Sequence, residues 1–486
     1  MNITELIKED YKKWGYGQNI LIEAGTGKGK SHFIKNTLYK YAKDNNKNIL
    51  LFSNRINLLN QNVHELGDRL DGYTITVRNY QKLHHQAKRG ELDLYKFDYV
   101  VCDECHYFFT DSVFNRFTDI ALITILESKA CKIFMSATPR LFKSYIEEKG
   151  LDYTPYETGT NYSHVNKLYF YKDPMCIEDN LLDNLPVDEK VLYFNTSATD
   201  CLRLHNKYKA NSMINVSEGN KLYQFVDVEA KQNMLKQCKF DSQILFTTSC
   251  LDNGVNLIDA SIKHIVVDIK DIDILIQCIG RKRVIDENDT VTLYIRNISN
   301  ESLGGTYRDT FDKISKAEEL RLKGTINFIS DYPRQNYDTR LIYWDTDKEL
   351  HINEMYYKKI VDEFTIARKL LDMARESDKP IERSCPYAIF VSDTLKISKW
   401  SFYDTKHQVE EFSYYLEKLL DTRLFKEEQD LLKERFEMAG LKVKSGNKMG
   451  LKTMTGFLQD LKLPYVVISK PVKVNKKLET VWIITK

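Results

Sequence analysis

Short apolar runs separated by amphipathic stretches fill the first 300 residues, and this alternation narrows the fold more than any other feature. The runs are Asn19–Ile22, Asn48–Phe52, Tyr73–Val77, Tyr99–Cys102 and Lys132–Met135. After a gap come Val191–Phe194, Gln243–Phe246, His264–Ile269 and Val291–Ile295. Many are dominated by Val, Ile, Leu, Phe and Tyr, as strands buried on both faces of a parallel sheet should be. Helical segments between them imply βαβ units. The gap between about 140 and 190 splits the strands into two sets. The expected class is therefore α/β, with two tandem parallel-sheet domains over 1–155 and 156–300.

From about residue 300 the pattern changes. Asn353–Ala374 and Lys406–Leu420 read as long, charged amphipathic helices, so 301–420 is expected to be a mostly helical accessory region. Phe425–Ala439 reads as a helix stopped by Gly440. Leu451, Met454, Leu458 and Leu461 mark the apolar face of a second helix that ends at Pro464. Tyr465–Ile468 and Val481–Thr485 then read as two strands around a Lys-rich turn. Helix, helix, hairpin is the order of a small winged-helix module, expected over 421–486.

Ala24-Gly25-Thr26-Gly27-Lys28-Gly29-Lys30-Ser31 follows the first apolar run and opens a helix. Glycines let the backbone wrap closely around phosphate oxygens with its N–H groups turned inward. The helix N-terminus adds a favourable field for an anion. In this pattern Lys30 reaches the β- and γ-phosphates and the Ser31 hydroxyl ligates Mg²⁺. Ala24 stands where such loops usually begin with glycine.

Tyr99-Val100-Val101-Cys102-Asp103-Glu104-Cys105-His106 is an apolar strand ending in two acids. Strand ends are where an α/β sheet presents reactive groups. Coming some 70 residues after a phosphate loop, the pair divides the work of phosphoryl transfer. Asp103 holds Mg²⁺, and Glu104 orients and deprotonates the attacking water. His106 by itself reads as an ordinary surface or packed histidine. Cys102 and Cys105 have C-x-x-C spacing, but no second cysteine pair exists and no zinc site is read there.

Asp103-Glu104-Cys105-His106 resembles the DExH box of superfamily 2 helicases, and other motifs of that family occur in order. Ser136-Ala137-Thr138 resembles the Ser-Ala-Thr motif. Ser53-Asn54-Arg55 with Leu58–Gln61, and Thr76–Leu83, resemble the motifs that contact the nucleic-acid backbone. Val191–Thr196 resembles motif IV, Thr247–Asn256 motif V, and Gln277–Arg283 motif VI. The resemblance spans about residues 15–300 and implies two RecA-like domains with ATP in the cleft between them. It implies arginine fingers at Arg281 and Arg283 beside Gln277, and nucleotide contacts from Gly254 and Asn256 in addition to the phosphate loop. It also implies nucleic-acid contacts at Ser53, Arg55, Arg78, Thr196, Thr248 and Arg140. Motif VI usually reads Gln-x-x-Gly-Arg-x-x-Arg, whereas the last position here is Val284 and an arginine sits one residue earlier. Gln18 and Trp14 lie upstream of the phosphate loop without forming the adenine-contacting Gln motif of some relatives. No Asn-Lys-x-Asp guanine signature occurs, so ATP with Mg²⁺ is expected.

Lys plus Arg is 71 and Asp plus Glu 69, a net charge of +2, which excludes a uniformly basic coat. The basic charge is local. Leu441–Lys486 holds ten lysines against Asp460 and Glu479, a net of +8, so the remainder nets about −6. A basic segment with Tyr465 and Trp482 suits phosphate neutralisation at a duplex or fork. The leading expectation is thus an ATP-dependent helicase or translocase, with DNA favoured over RNA as the nucleic-acid partner. An RNA helicase, and an ATP-switched subunit that clamps nucleic acid or a partner without unwinding, stay open. A protein partner through 301–486 is the second partner expectation. No apolar run approaches the ~20 residues of a membrane span. The start has no basic, then apolar leader, and the nine cysteines are odd in number and scattered. A cytoplasmic location is the expectation.

Overall fold

In the computed structural model, the apolar run after Gln18 forms strand β1 (Asn19–Ala24), whose inner residues Ile20, Leu21 and Ile22 are buried. The structure describes all residues except 1, 26, 54–65, 71–72, 89–93, 252–254, 346, 440, 442–448, 462 and 475–476. β2 (Ile49–Ser53), β3 (Ile75–Asn79), β4 (Tyr99–Asp103), β5 (Cys131–Ser136) and β6 (Thr154–Thr158) complete a parallel sheet in the order β3-β2-β4-β5-β1-β6. β1, β2, β4 and β5 are buried along almost their whole length, as their continuous apolar sequences require. One strand, β5, separates β1 from β4, so the phosphate loop and the Asp103-Glu104 pair leave the same edge of the sheet.

β7 (Val165–Tyr171), β8 (Lys190–Asn195), β9 (Ser212–Asn215), β10 (Ile244–Thr247), β11 (Ile262–Asp268) and β12 (Val291–Arg296) build a second sheet. They lie in the order β7-β12-β11-β8-β10-β9, and β12-β11-β8-β10-β9 run parallel. Two parallel-stranded α/β sheets are thus present, as the alternation of apolar runs implied. β6, β7 and β9 were not among the expected strands. β6 reads Thr-Pro-Tyr-Glu-Thr and is largely exposed, so it carries no apolar signature.

Four helices matter for the site. α1 (Arg140–Glu148) follows β5, and α2 (Ile272–Ile279) follows β11. α3 (Asn300–Asp331) breaks at Gly324, which has φ +70°, a conformation that favours glycine. It packs with α4 (Glu354–Glu376), a small hairpin (Ile342–Trp344 and Leu350–Ile352) and a core that includes Ala317, Leu320, Phe328 and Ile360.

By packing, residues 1–168 and 186–400 form one unit, and residues 169–185 with 401–486 form another. The second unit contains α5 (Tyr403–Lys418), α6 (Lys426–Met438), α7 (Leu451–Asp460) and an antiparallel hairpin of β13 (Val466–Val474) and β14 (Lys477–Thr485). Its core includes Phe412, Leu416, Phe436, Met454, Leu458 and Ile484. Leu424 exchanges both backbone hydrogen bonds with Trp482, at 2.8 and 3.0 Å, placing a short extended segment beside the hairpin. The expected helix stop, Gly440, lies outside the described residues.

Candidate active site

β1 ends at Ala24, and the chain turns through Gly27 (φ +80°) and Gly29 (φ +82°) before the helix opens at Lys30. Both glycines occupy the left-handed region, where a side chain is strained. Gly27 has a second constraint, because a Cβ there would lie 3.4 Å from Arg283 Nη1. The N-terminal helix Ile3–Ile7 braces the loop through the Ile3 amide, which donates to Lys28 O at 2.9 Å. Lys30 is buried and turned back on its own loop, donating to Ala24 O at 2.6 Å. Burial pulls the Lys30 ammonium below its ordinary value, while Glu104 and Asp103 oppose that shift. Gly25, Lys28 and Ser31 are half-buried along the same loop, and Thr26 lies outside the described residues.

The acids sit at the end of β4. Burial, and then the neighbouring Glu104 charge, push the Asp103 carboxyl up to about 6. Its Oδ1 accepts from the Glu104 amide at 3.1 Å, and Tyr80 Oη donates to its carbonyl at 3.0 Å. Glu104 itself adopts φ +53°, which costs a non-glycine residue on the order of 1 kcal/mol or more. Burial raises the Glu104 carboxyl, but His106 and Lys30 more than offset this and hold it down to about 2. Glu104 Oε2 is buried and has no hydrogen-bond partner among the described residues, although His106 Nδ1 lies 3.3 Å away. An ionised carboxylate accepts hydrogen bonds only, which suits it to orient a water molecule.

Mg²⁺ takes hard oxygen ligands and keeps waters and phosphate oxygens in its shell. The Asp103 carboxylate and Ser31 hydroxyl are such donors, and a cation would relieve the cost that raises Asp103. The pair fits Mg²⁺ on this chemistry. Among the described residues no group of three or more His, Cys, Asp or Glu is arranged to hold a metal, and all nine cysteines are free.

His106 is not an isolated packed residue. Its Nδ1 is 2.9 Å from Ser136 Oγ, and that oxygen accepts from the Thr138 amide at 3.0 Å. Thr138 Oγ1 accepts from Gln277 Nε2 at 3.0 Å. Gln277 Oε1 then accepts from Arg281 Nη2 at 2.8 Å. A polar chain therefore runs from His106, beside Glu104, to Arg281 after the helix that follows β11. No sequence spacing points to it, because Thr138 and Gln277 are 139 residues apart.

The irregular motif VI has a structural reason. Leu257 N donates to Arg281 O and Arg283 N donates to Leu257 O, each at 2.8 Å. This bridge extends residues 281–283, so alternate side chains take opposite sides. Arg281 is buried and Arg283 half-buried beside Gly27. Lys282 points the other way into a fully buried ion pair with Asp289. Val284 is 46% exposed. Asn256 Oδ1 accepts from Arg283 Nε at 2.8 Å, so it positions an arginine here. Burial, then Arg281, lowers Arg283 to about 10. Gly254 lies outside the described residues.

The expected nucleic-acid residues lie on both sheets. Ser53 is fully buried at the end of β2, and Arg78 lies over the Phe97 ring at 6.0 Å. Thr248 is half-buried after β10, and Arg55 lies outside the described residues. Thr196 and Arg140 do share a cavity of about 670 Å³ at the ends of β8, β11 and β12. Thr196 Oγ1 donates to Asp268 O at 2.8 Å. Arg140 is held by Asp273 at 3.0 Å and by Asp362 of α4.

The family model described as type III restriction enzyme, res subunit, matches residues 2–141. Among solved structures, the chain is similar to Saccharomyces cerevisiae Dbp5 bound to RNA and ADP BeF3. The identity is 14% and the TM-score 0.43, over 57% of this chain and 78% of that one. It is also similar to a DEAD box protein from the hyperthermophile Methanococcus jannaschii, at 16% identity and TM-score 0.34, over 60% of this chain and 84% of the other. No curated protein matches the chain.

Proposed function

We propose that the chain is a superfamily 2 helicase-type ATPase and, within that class, a DNA-directed helicase or translocase. The observation that carries this reading is the pair of links from the second sheet to the phosphate loop and the acids. They are Arg283 against Gly27 and Gln277 between Thr138 and Arg281. A nucleotide bound at the loop would then be sensed by both domains at once, as a two-domain stepping cycle needs.

On a nucleotide's arrival, Lys30 leaves the Ala24 and Gly25 carbonyls for the phosphates. Mg²⁺, held by Ser31 and Asp103, would neutralise phosphate charge there. Glu104 orients the attacking water and takes its proton. Arg281 and Arg283 supply positive charge where negative charge develops. The polar chain through His106, Ser136, Thr138 and Gln277 keeps these groups in register across the cleft.

DNA as the track is supported by the restriction-enzyme description of the matching family. The basic C-terminal segment supports it too, since Lys470 and Lys473 are exposed on the hairpin. We read residues 421–486 as a winged-helix-like module, supported by the helices α6 and α7, the bridge at Leu424 and the hairpin. Substituting Lys470 and Lys473 by Gln should lower the slope of log affinity against log salt by about 0.9 for each duplex-DNA phosphate that is no longer neutralised. The competing reading is a clamp that hydrolyses ATP without unwinding. The deciding experiment measures ATPase rate with no nucleic acid, single-stranded DNA, duplex DNA, forked DNA and RNA, with Lys30→Ala as the blank, beside strand displacement. Stimulation by DNA with displacement supports the proposal. Stimulation by RNA alone, or a DNA-stimulated rate with no movement on the track, overturns it. Among the described residues no helix is long and apolar enough to cross a membrane.

A further inference from the structure

Beside the phosphate loop lies a cavity of about 360 Å³ that the phosphate-binding and acidic groups do not fill. One wall is Gly25, Gly27 and Lys28. A second is the connector Thr160–His164, which joins the two sheets. The third is the end of α2 and the turn after it, with Ile276, Ile279 and Arg283. The connector reaches this point because β6 is registered on β1, with Thr158 opposite Ala24. Residues leaving β6 therefore emerge where the phosphate loop begins. A Cβ on Gly25 would lie 3.6 Å from Thr160 Cγ2.

A nucleoside triphosphate with its phosphates on this loop must put its base a few ångströms beyond them. Two upstream residues could have received it, and both are engaged elsewhere. Trp14 is buried and donates to Tyr156 Oη at 3.4 Å. Gln18 Oε1 accepts from the Gly15 amide at 3.0 Å. Within the cavity the aromatic side chains are Tyr162 and His164, and Ile276 and Ile279 supply apolar surface. Aromatic and aliphatic surface beside a phosphate loop is what a purine ring stacks on. Tyr162 is fixed in place. Its carbonyl accepts from the Val165 amide at 2.8 Å, and its ring lies 6.3 Å from that of His164 at 40°. His164 O accepts from Val291 N at 2.8 Å, which ties the connector to β12.

We propose that connector residues 160–164 form the base end of the nucleotide site, with Tyr162 as the stacking face for a purine. This rests on the nucleotide reading above and extends it to base recognition. Because the same connector joins the two sheets, the base would be read by the segment that the opening and closing of the cleft must bend.

The test uses the full chain with Tyr162→Ala and Tyr162→Phe, and compares ATP with inorganic tripolyphosphate, which has no base. Tyr162→Ala should raise KM for ATP about 10-fold, the scale of removing one base–aromatic stack, while kcat falls no more than about 2-fold. Tyr162→Phe keeps the ring and should restore KM. The inhibition constant of tripolyphosphate should not move in either variant. An unchanged KM for ATP in Tyr162→Ala would overturn the proposal, as would a parallel weakening of tripolyphosphate. Lys30→Ala separates the layers. If it abolishes ATPase while Tyr162→Ala leaves KM alone, the base assignment fails and the phosphate-loop reading stands. If Lys30→Ala hydrolyses ATP normally, both fall.

Discussion

Gln277 Nε2 donates to Thr138 Oγ1 across 3.0 Å, joining the helix after β11 to the turn after β5. Both atoms are buried, so the bond is not in competition with water. Through Arg281 on one side and Ser136 and His106 on the other, it places the two α/β domains in one hydrogen-bonded path.

Gln277→Ala should therefore separate binding from turnover. Hydrogen bonds to charged groups contribute about 1.5–3 kcal/mol, so kcat of the stimulated ATPase should fall about 10- to 100-fold. KM for ATP should stay within about 3-fold, because Gln277 lies off the phosphate loop. Steady-state ATPase kinetics decide, and a rise in KM at constant kcat would show that the residue acts in binding.

Arg283 faces Gly27 because the Leu257 bridge extends the backbone from 281 to 283. Arg283→Ala should reduce kcat on the order of 10³-fold, the low end for an arginine finger. Lysine should not rescue it, since a point charge cannot use Asn256 as the planar guanidinium does. Moving the arginine one residue on, as Arg283→Ala with Val284→Arg, restores the family spacing but projects the group to the exposed side. It should be as inactive as Arg283→Ala. Recovery in that double variant would mean the loop rearranges with nucleotide.

The Asp103 carboxyl, at about 6, lies above the ~3.9 of an unfolded aspartate. Between those values the native protein holds more protons than the unfolded chain. The group's contribution to stability therefore falls as pH rises from about 4 through about 6, and the penalty is complete above that. Asp103→Asn should melt a few degrees higher than the parent at pH 7.5, with most of the gain gone near pH 4.5 and ATPase abolished. Calorimetry at the two pH values checks the sign, and a lower melting point at pH 7.5 would refute it.

Lys282 and Asp289 form a pair with essentially no exposure, and Asp289 also accepts from the Ile285 amide at 3.0 Å. Breaking a buried pair leaves an uncompensated charge. Lys282→Met or Asp289→Leu alone should each cost about 3–5 kcal/mol, and the double variant should recover most of that. Denaturant melts of the three proteins measure it. Additive losses would mean that the pair is not coupled.

Much of this was legible in the sequence. The nine apolar runs all became strands, because continuous Val, Ile, Leu, Phe and Tyr has few other low-energy outcomes inside a domain. The phosphate loop and the Asp-Glu pair were legible because a left-handed turn needs glycine and a strand end presents its acids. β6 was not, since Thr154–Thr158 is an exposed edge whose pairing with β1 comes from position in the sheet. The contact of His106 with Ser136 was not either, since Ser136 lies 30 residues away on another strand.

The sequence by itself determined which chemistry the chain could hold: a phosphate loop, two acids on a buried strand, and arginines on a distant segment. Tertiary structure decided which of those groups meet. Arg283 lies beside Gly27 while Val284 is exposed, because one bridge to Leu257 sets which side each residue faces. Arg140, expected on a nucleic-acid track, is paired with Asp273 and Asp362. Local sequence sets the backbone's preferences within a few residues. Which side chains share a cleft depends on contacts between segments more than 100 residues apart, and packing alone brings those together.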